Sequence, residues 1–319
     1  METQYLDLQR RVFATGVHKP NRTGVGAYGN VGNMLKADLR DGFPAPTTKK
    51  LAFKVARGEL LGFLRGYDNA AKFRELGCNI WDQNANENAA WLANPHRKGT
   101  DDLGRIYGVQ WTRWRDTRVA HSTQQASRLS QAGYKLLAHD TSRAVHIMER
   151  EINQLEECLR TLLTNPYDRR VRLTAWRPDE FDQMALPPCH VDYQFMALPD
   201  NTLHITMGMR SVDVFLGLPF NAASTAMLLH IMARLCGREA ATMSIFLGDT
   251  HIYETHLDAV NEQLAREPLK STAKLVLSEA VKPITDLAEI RGAFERIEPE
   301  HIALEGYESL GAIRAPMAV

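Results

Sequence analysis

A cysteine stands directly behind two prolines in Ala185-Leu186-Pro187-Pro188-Cys189-His190, and an arginine follows in Met209-Arg210-Ser211-Val212-Asp213. The two proline rings fix φ and remove two backbone donors, so the thiol is presented on a stiff segment, which suits a nucleophile. Between cysteine and arginine, the apolar runs 191–198 and 203–209 flank Pro199-Asp200-Asn201-Thr202. That turn composition predicts a hairpin, with Cys189 at the start of one strand and Arg210 at the end of its neighbour. A guanidinium beside a thiol favours the thiolate, the form that attacks carbon. A cysteine alone is more often an inert buried hydrophobe, so the rest of the chain must decide.

Other residues offer supporting chemistry. In Asn21-Arg22-Thr23-Gly24-Val25-Gly26 the glycines let backbone amides approach an anion, and Arg22 supplies charge. Glu59 lies in the apolar stretch 51–64 with Val55, Leu60, Leu61 and Leu64. A carboxylate there is costly without water or a partner, so it is either an ion-paired structural residue or an acid/base group. Arg169 and Arg170 precede a strand-like run at 171–176.

The elements that would position these groups follow from periodicity. Tyr5, Leu8 and Val12, with Gly16 as a stop, predict a helix over 3–14. Val145, Met148, Ile152, Leu155, Leu159 and Leu162 fall in steps of three and four, predicting one helix that ends near Asn165-Pro166. Asn221 begins another, carried by Ala226, Leu228, Leu229, Met232 and Leu235 and stopped at Gly237. The polar stretch 112–140, rich in Ser, Gln, Arg and His, reads as an insertion or peripheral excursion. No internal repeat, low-complexity tract or interdomain linker is evident.

With 44% hydrophobic residues, 319 residues can bury a large core as one domain or two. Basic and acidic residues balance at 38 each, so no overall field recruits nucleic acid or a membrane. The four cysteines lack paired or metal-ligand spacing, which favours reduced thiols, no metal and a cytosol-like compartment. The polar start is unlike a leader, and no apolar run reaches about eighteen residues. The expectation is a soluble cytoplasmic protein (host cytoplasm for a viral one) without a membrane partner.

Taken jointly, Ala-Leu-Pro-Pro-Cys-His, Arg-Ser-x-Asp-Val-Phe-Leu-Gly-Leu-Pro-Phe-Asn from Arg210 and Gly248-Asp249-Thr250-His251-Ile252-Tyr253 resemble, in order and spacing, the core signature of the thymidylate synthase family. The 21–26 loop, Glu59-Leu60-Leu61, Ile80-Trp81-Asp82 and Leu103-Gly104-Arg105-Ile106-Tyr107-Gly108 match too. The resemblance covers most of the chain outside roughly 112–165 and 260–305. It implies an α/β (α+β) fold of one domain, 1–319, with a divergent insertion at about 112–150. A twisted mixed sheet would carry helices on one face and use the other for a sheet-on-sheet homodimer.

The resemblance also implies roles. Cys189 would add to C6 of dUMP, Arg210 would favour its thiolate, Tyr107 would sit close to the reacting ring and Glu59 would order waters and handle protons. Asn221 would read the pyrimidine edge; relatives acting on cytosine nucleotides carry Asp there, so Asn argues for dUMP. Arg22, Arg210 and Ser211, with Arg169 and Arg170 reaching across from the other subunit, would hold the phosphate. His251 and Tyr253 would bind the sugar hydroxyl. The cosubstrate would be 5,10-methylenetetrahydrofolate, against Trp81, Asn84, Gly217, Phe220 and Asp213, the last placed among the contacts of both ligands, with Met317 and Ala318 closing over it.

Hydride transfer would give dTMP and dihydrofolate, whereas attack by water would give 5-hydroxymethyl-dUMP. Trp81, Leu186, Phe220 and the apolar tail favour hydride. Met207-Gly208-Met209, Thr112 and Arg105 depart from the family pattern and fit a divergent branch, which keeps a dUMP hydroxymethylase as the alternative. A non-enzyme alternative is a catalytically silent RNA-binding relative; neutral charge and the full set of catalytic groups count against it.

Overall fold

The computed structural model describes residues 1–21, 24–143 and 145–317. In chain order its strands are β1 (Val17–Lys19), β2 (Ala27–Asp38), β3 (Trp114–Ala120), β4 (Lys135–Asp140), β5 (Val145–Ile152), β6 (Arg172–Thr174), β7 (His190–Ala197), β8 (Thr202–Asp213), β9 (Glu239–Tyr253), β10 (Lys274–Leu277) and β11 (Ile302–Glu305). Its helices are α1 (Glu2–Thr15), α2 (Phe53–Leu64), α3 (Ala70–Glu75), α4 (Asp82–Asn86), α5 (Ala89–Leu92), α6 (Tyr107–Thr112), α7 (Thr123–Gln131), α8 (Gln154–Thr164), α9 (Gly217–Leu235) and α10 (Leu257–Leu264).

The six-stranded sheet runs β1-β2-β9-β8-β7-β6. Every neighbouring pair is antiparallel except β8 and β9, which are parallel. A parallel pair needs a crossover, and α9 supplies it. Because α9 lies inside the core, its sequence is apolar on nearly every side instead of showing one stripe. It begins at Gly217, a turn earlier than the apolar pattern suggests. Pro219 falls in that first turn, where a backbone N–H has no intrahelical partner, so proline does not delay the start. Gly237 follows the helix at φ 64°, the left-handed stop that glycine permits.

The expected hairpin is β7 and β8, with Ala197 opposite Leu203 and Asn201 taking φ 65° in the turn. Tyr193, Phe195, Ile205, Met207, Ile245 and Leu247 alternate into the helix-covered side of the sheet. The other side is far more open: Met34 pairs with Phe246, and both are largely exposed.

The single helix expected across 145–162 is corrected to a strand and a helix, β5 and α8. Met148 and Ile152 are four apart, an even number, so that spacing also keeps two residues on one face of a strand. β-branched Val145, Ile147 and Ile152 favour the strand, and Asn153 then caps α8 by accepting from Glu156 N at 3.2 Å. Leu155, Leu159 and Leu162 remain a helical stripe and are buried.

The 112–150 stretch folds into a three-stranded sheet, β3-β5-β4, with α7. Ala120, Ala126, Tyr134 and Met148 form a small core of their own. The joint to the main body is electrostatic. Buried Glu180 accepts from Gln110 Nε2 at 2.8 Å and pairs with Arg105, with Arg115 of β3 at 3.4 Å and with Arg177 at 3.6 Å. Arg105, a departure from the resembled pattern, is therefore matched by its own counter-charge. Glu180→Ala would leave three guanidiniums crowded without an anion, and is expected to cost about 3 kcal/mol or more in urea unfolding. An unchanged unfolding midpoint would contradict that reading.

Candidate active site

A cavity of about 480 Å³ opens where the ends of β8 and β9, the start of α9 and the 186–190 segment converge. Cys189 is half-buried on its wall. The prolines before it work through their carbonyls: Arg210 Nε donates to Pro188 O at 2.7 Å and Nη2 to Pro187 O at 3.0 Å. Arg210 N also donates to Cys189 O at 2.9 Å, continuing the β7–β8 pairing. The guanidinium is thereby fixed with Nη2 3.8 Å from Cys189 Sγ, and it lies over the Trp176 ring.

Beneath the cysteine, Cys189 N donates to Tyr107 Oη at 2.7 Å. Burial, reinforced by the neighbouring sulfur, holds the Tyr107 pKa well above its ordinary value, so it stays a phenol. Its ring stacks on Phe63 and lies 4.3 Å from the His190 ring. Burial pushes His190 down to about 3, leaving it neutral, with Nδ1 3.1 Å from Tyr193 Oη. Glu59 is buried on the same wall, where Trp81 Nε1 donates to Oε1 at 3.1 Å. Burial outweighs that bond and lifts Glu59 to about 7, so it can both give and take a proton near neutrality.

Two polar groups around the start of α9 face the cavity. Asp213 Oδ1 accepts from Phe215 N at 2.9 Å and Leu216 N at 3.3 Å, which fixes the carboxylate at the helix N-terminus. Asn221 lines the cavity, and its carboxamide makes no hydrogen bond among the described residues. At the end of β9, His251 and Tyr253 alternate onto one face with ring centroids 4.9 Å apart. Asn84, Ser211, Gly217 and Met317 complete the predicted residues on the wall.

Three predicted residues lie elsewhere. Arg169 and Arg170 sit on the exposed turn before β6, where Arg170 pairs with Asp168 at 2.6 Å and Arg169 offers its carbonyl to Gln194. Neither reaches this cavity. Phe220 packs against the core instead of lining the wall. Arg22 and Ala318 fall outside the described residues. Sequence reasoning missed Lys19 and Asp249, which pair with each other in the cavity wall, Asp249 also holding His251 Nδ1 at 3.1 Å. Asp249 was findable, because it alternates with His251 and Tyr253 along one strand. Lys19 had no local signal; the β1-β2-β9 order brings it in.

Among the described residues no group of three or more His, Cys, Asp or Glu could hold a metal ion. The family model for thymidylate synthase matches residues 3–319. The chain is 47% identical to the thymidylate synthase of Pseudomonas putida over 322 residues, covering 99% of each chain. It is 44% identical to those of Pseudomonas syringae pv. tomato and Bordetella parapertussis, again over 99% of each chain. With the Cys189 thiol, the Arg210 guanidinium and the Asn221 carboxamide gathered in one cavity and the match running through nearly every residue, the chain belongs to the thymidylate synthase family.

Proposed function

We propose that the protein transfers a one-carbon unit from 5,10-methylenetetrahydrofolate to C5 of dUMP, giving dTMP and dihydrofolate. The observation that carries this reading is Cys189 Sγ held 3.8 Å from Arg210 Nη2 in the cavity that Asn221 faces. C5 of uracil is a poor nucleophile. Cys189 would add its thiolate to C6, sending the ring electron pair to C5 and O4 as an enolate. Asn221 would donate to O4 and accept from N3–H, placing a dipole where charge develops. The enolate C5 would then bond to the folate methylene carbon as that carbon's bond to N10 breaks and N10 takes a proton, leaving the methylene joined to N5. Glu59 and Tyr107, both buried on the cavity wall, would take part in removing the C5 proton and expelling N5 of the folate. Hydride from the folate would reduce the exocyclic methylene as Cys189 leaves C6.

The relatives' names favour the hydride outcome; a hydroxymethyl product would mean that water reaches the methylene first. His251 and Tyr253 would bind the sugar hydroxyl, and Arg210, Ser211 and Arg22 the phosphate. Trp81, Asn84, Asp213, Gly217 and the tail would enclose the folate.

We further read the protein as a cytoplasmic homodimer, each chain one domain with the three-stranded module attached. Two observations support the dimer: the open sheet face with Met34 and Phe246, and Arg169 and Arg170 pointing away from their own cavity. They would complete the partner's phosphate site, as guanidinium forks suit phosphate oxygens. No helix among the described residues is long and apolar enough to cross a membrane.

The direct test uses dUMP tritiated at C5. Release of tritium to water should require both dUMP and the folate, since only a new bond at C5 displaces that hydrogen. Absence of release with both ligands present would end the proposal.

Glu59→Gln is expected to lower kcat by about 100-fold and to remove a pH limb near 7. The same burial sets a stability trend. Raised from 4.5 to about 7 on folding, Glu59 contributes stability that is present below 4.5 and lost as pH rises through about 7. Denaturant titrations from pH 4.5 to 8 should therefore show wild type losing stability relative to Glu59→Gln; parallel curves would show that Glu59 ionises freely in the fold.

A further inference from the structure

One fully buried histidine joins three parts of the site without touching the cavity. His256 lies in the single turn between β9 and α10. Its Nε2 donates to the carbonyl of Pro316 at 2.7 Å, and its Nδ1 lies 3.5 Å from Asp213 Oδ1. The rings of Phe215 and Tyr253 flank it.

Both atoms that the imidazole faces are acceptors only, a carbonyl and a carboxylate. A neutral ring would satisfy one and turn a lone pair on the other. A doubly protonated ring serves both, and Nδ1 has no alternative hydrogen-bond partner among the described residues. At 3.5 Å the Asp213 contact is an ion pair more than a well-formed hydrogen bond.

The C-terminal segment depends on that ring. Leu310 N donates to Thr47 O at 2.8 Å, Lys50 N donates to Gly311 O at 2.9 Å, and Arg266 reaches both the Leu310 and Gly311 carbonyls. Past Gly311, the bond from His256 is the one hydrogen bond that holds the tail among the described residues. The next residue, Met317, lines the cavity.

We propose that His256 is a positioning residue that ties the C-terminal segment at Pro316 to Asp213, so that seating of the tail over the cavity and the aim of Asp213 into it are one event. The proposal deepens the one-carbon-transfer reading and rests on it only for the identity of the ligand. Asp213 Oδ1 is occupied by two backbone amides and His256, while Oδ2 makes no hydrogen bond among the described residues and is left for a donor on the folate's fused ring.

The charged and titratable neighbours are Asp213 on β8, Lys49 from the segment before α2, Tyr253 on β9, and Tyr5 of α1, which faces Asp213. Burial disfavours the imidazolium and Lys49 opposes it, but Asp213 and the Pro316 carbonyl outweigh both and raise the His256 pKa above its ordinary value. Below that raised value the latch has both arms, and as pH rises through it the ring loses one proton and with it one of the two.

The test compares wild type, His256→Gln, which keeps one donor but no charge, and His256→Leu, which keeps neither. Carboxypeptidase release of the last residues from ligand-free protein is expected to be about tenfold faster in His256→Leu, with His256→Gln between. The KM for methylenetetrahydrofolate is expected to rise by a similar factor in His256→Leu, with dUMP affinity unchanged. Tail release from wild type should accelerate as pH rises above neutrality relative to His256→Gln. Unchanged release and KM would overturn the proposal, and so would a parallel loss of dUMP affinity. If His256→Leu does not fold, the pH profile of wild type against His256→Gln decides alone. Tail release needs no turnover, so a wild type inactive on dUMP would sink the one-carbon reading and leave the latch standing.

Discussion

Cys189→Ser is expected to leave a folded protein whose turnover falls by about 10⁴-fold or more. Serine keeps the shape and the backbone bond from residue 189 to Tyr107 Oη, so little else in the site changes. What is lost is the nucleophilic sulfur; a hydroxyl is a far poorer nucleophile toward carbon, even beside Arg210. The companion measurement is the intact mass of the protein after mixing with dUMP and the folate and rapid quenching. Wild type should carry a covalent nucleotide, and Cys189→Ser none. A serine variant that turns over at a comparable rate would remove Cys189 from the mechanism.

Asn221→Asp is the second large effect, and it concerns choice of base. Uracil presents an acceptor at position 4 and a donor at N3, whereas cytosine reverses both. Because the Asn221 carboxamide has no hydrogen bond to the rest of the described chain, its polarity is free to answer the base. The ratio of kcat/KM for dCMP over dUMP is expected to rise by at least about 100-fold in Asn221→Asp, as a reversed pair leaves buried polar groups unmatched. Competition assays with both nucleotides measure the ratio directly. If uracil preference survives, another group reads the ring.

Local patterns in the sequence carry much of this site. The stiff Pro-Pro-Cys presentation, the turn at 199–202 and the helix stop at Gly237 are each set by proline, asparagine or glycine backbone chemistry, which needs no tertiary context. Glu59 was legible as an anomaly, since a carboxylate in an apolar run must have a partner or a shifted pKa, and it has both.

The failures have physical causes as well. The 145–162 stripe misled because Met148 and Ile152 satisfy the helical and the strand period together, and only β-branching and the Asn153 cap distinguish them. The start of α9 was missed because proline in a first turn breaks nothing. Lys19 entered the cavity through strand order, and His256 through a contact with a segment far away in sequence. Neither leaves a mark in its own neighbourhood. Phe220, beside Asn221 in the same motif, is partly buried against the core and is not on the cavity wall, because along a helix adjacent residues face different ways.

The most direct measurement of the central claim is the mass of the nucleotide recovered after wild type is incubated with dUMP and 5,10-methylenetetrahydrofolate. The account expects dUMP heavier by one CH₂ group, with dihydrofolate formed in equal amount. Recovery of unchanged dUMP from a folded protein would contradict it, and a product heavier by a further oxygen would keep Cys189 chemistry while replacing hydride with water in the last step.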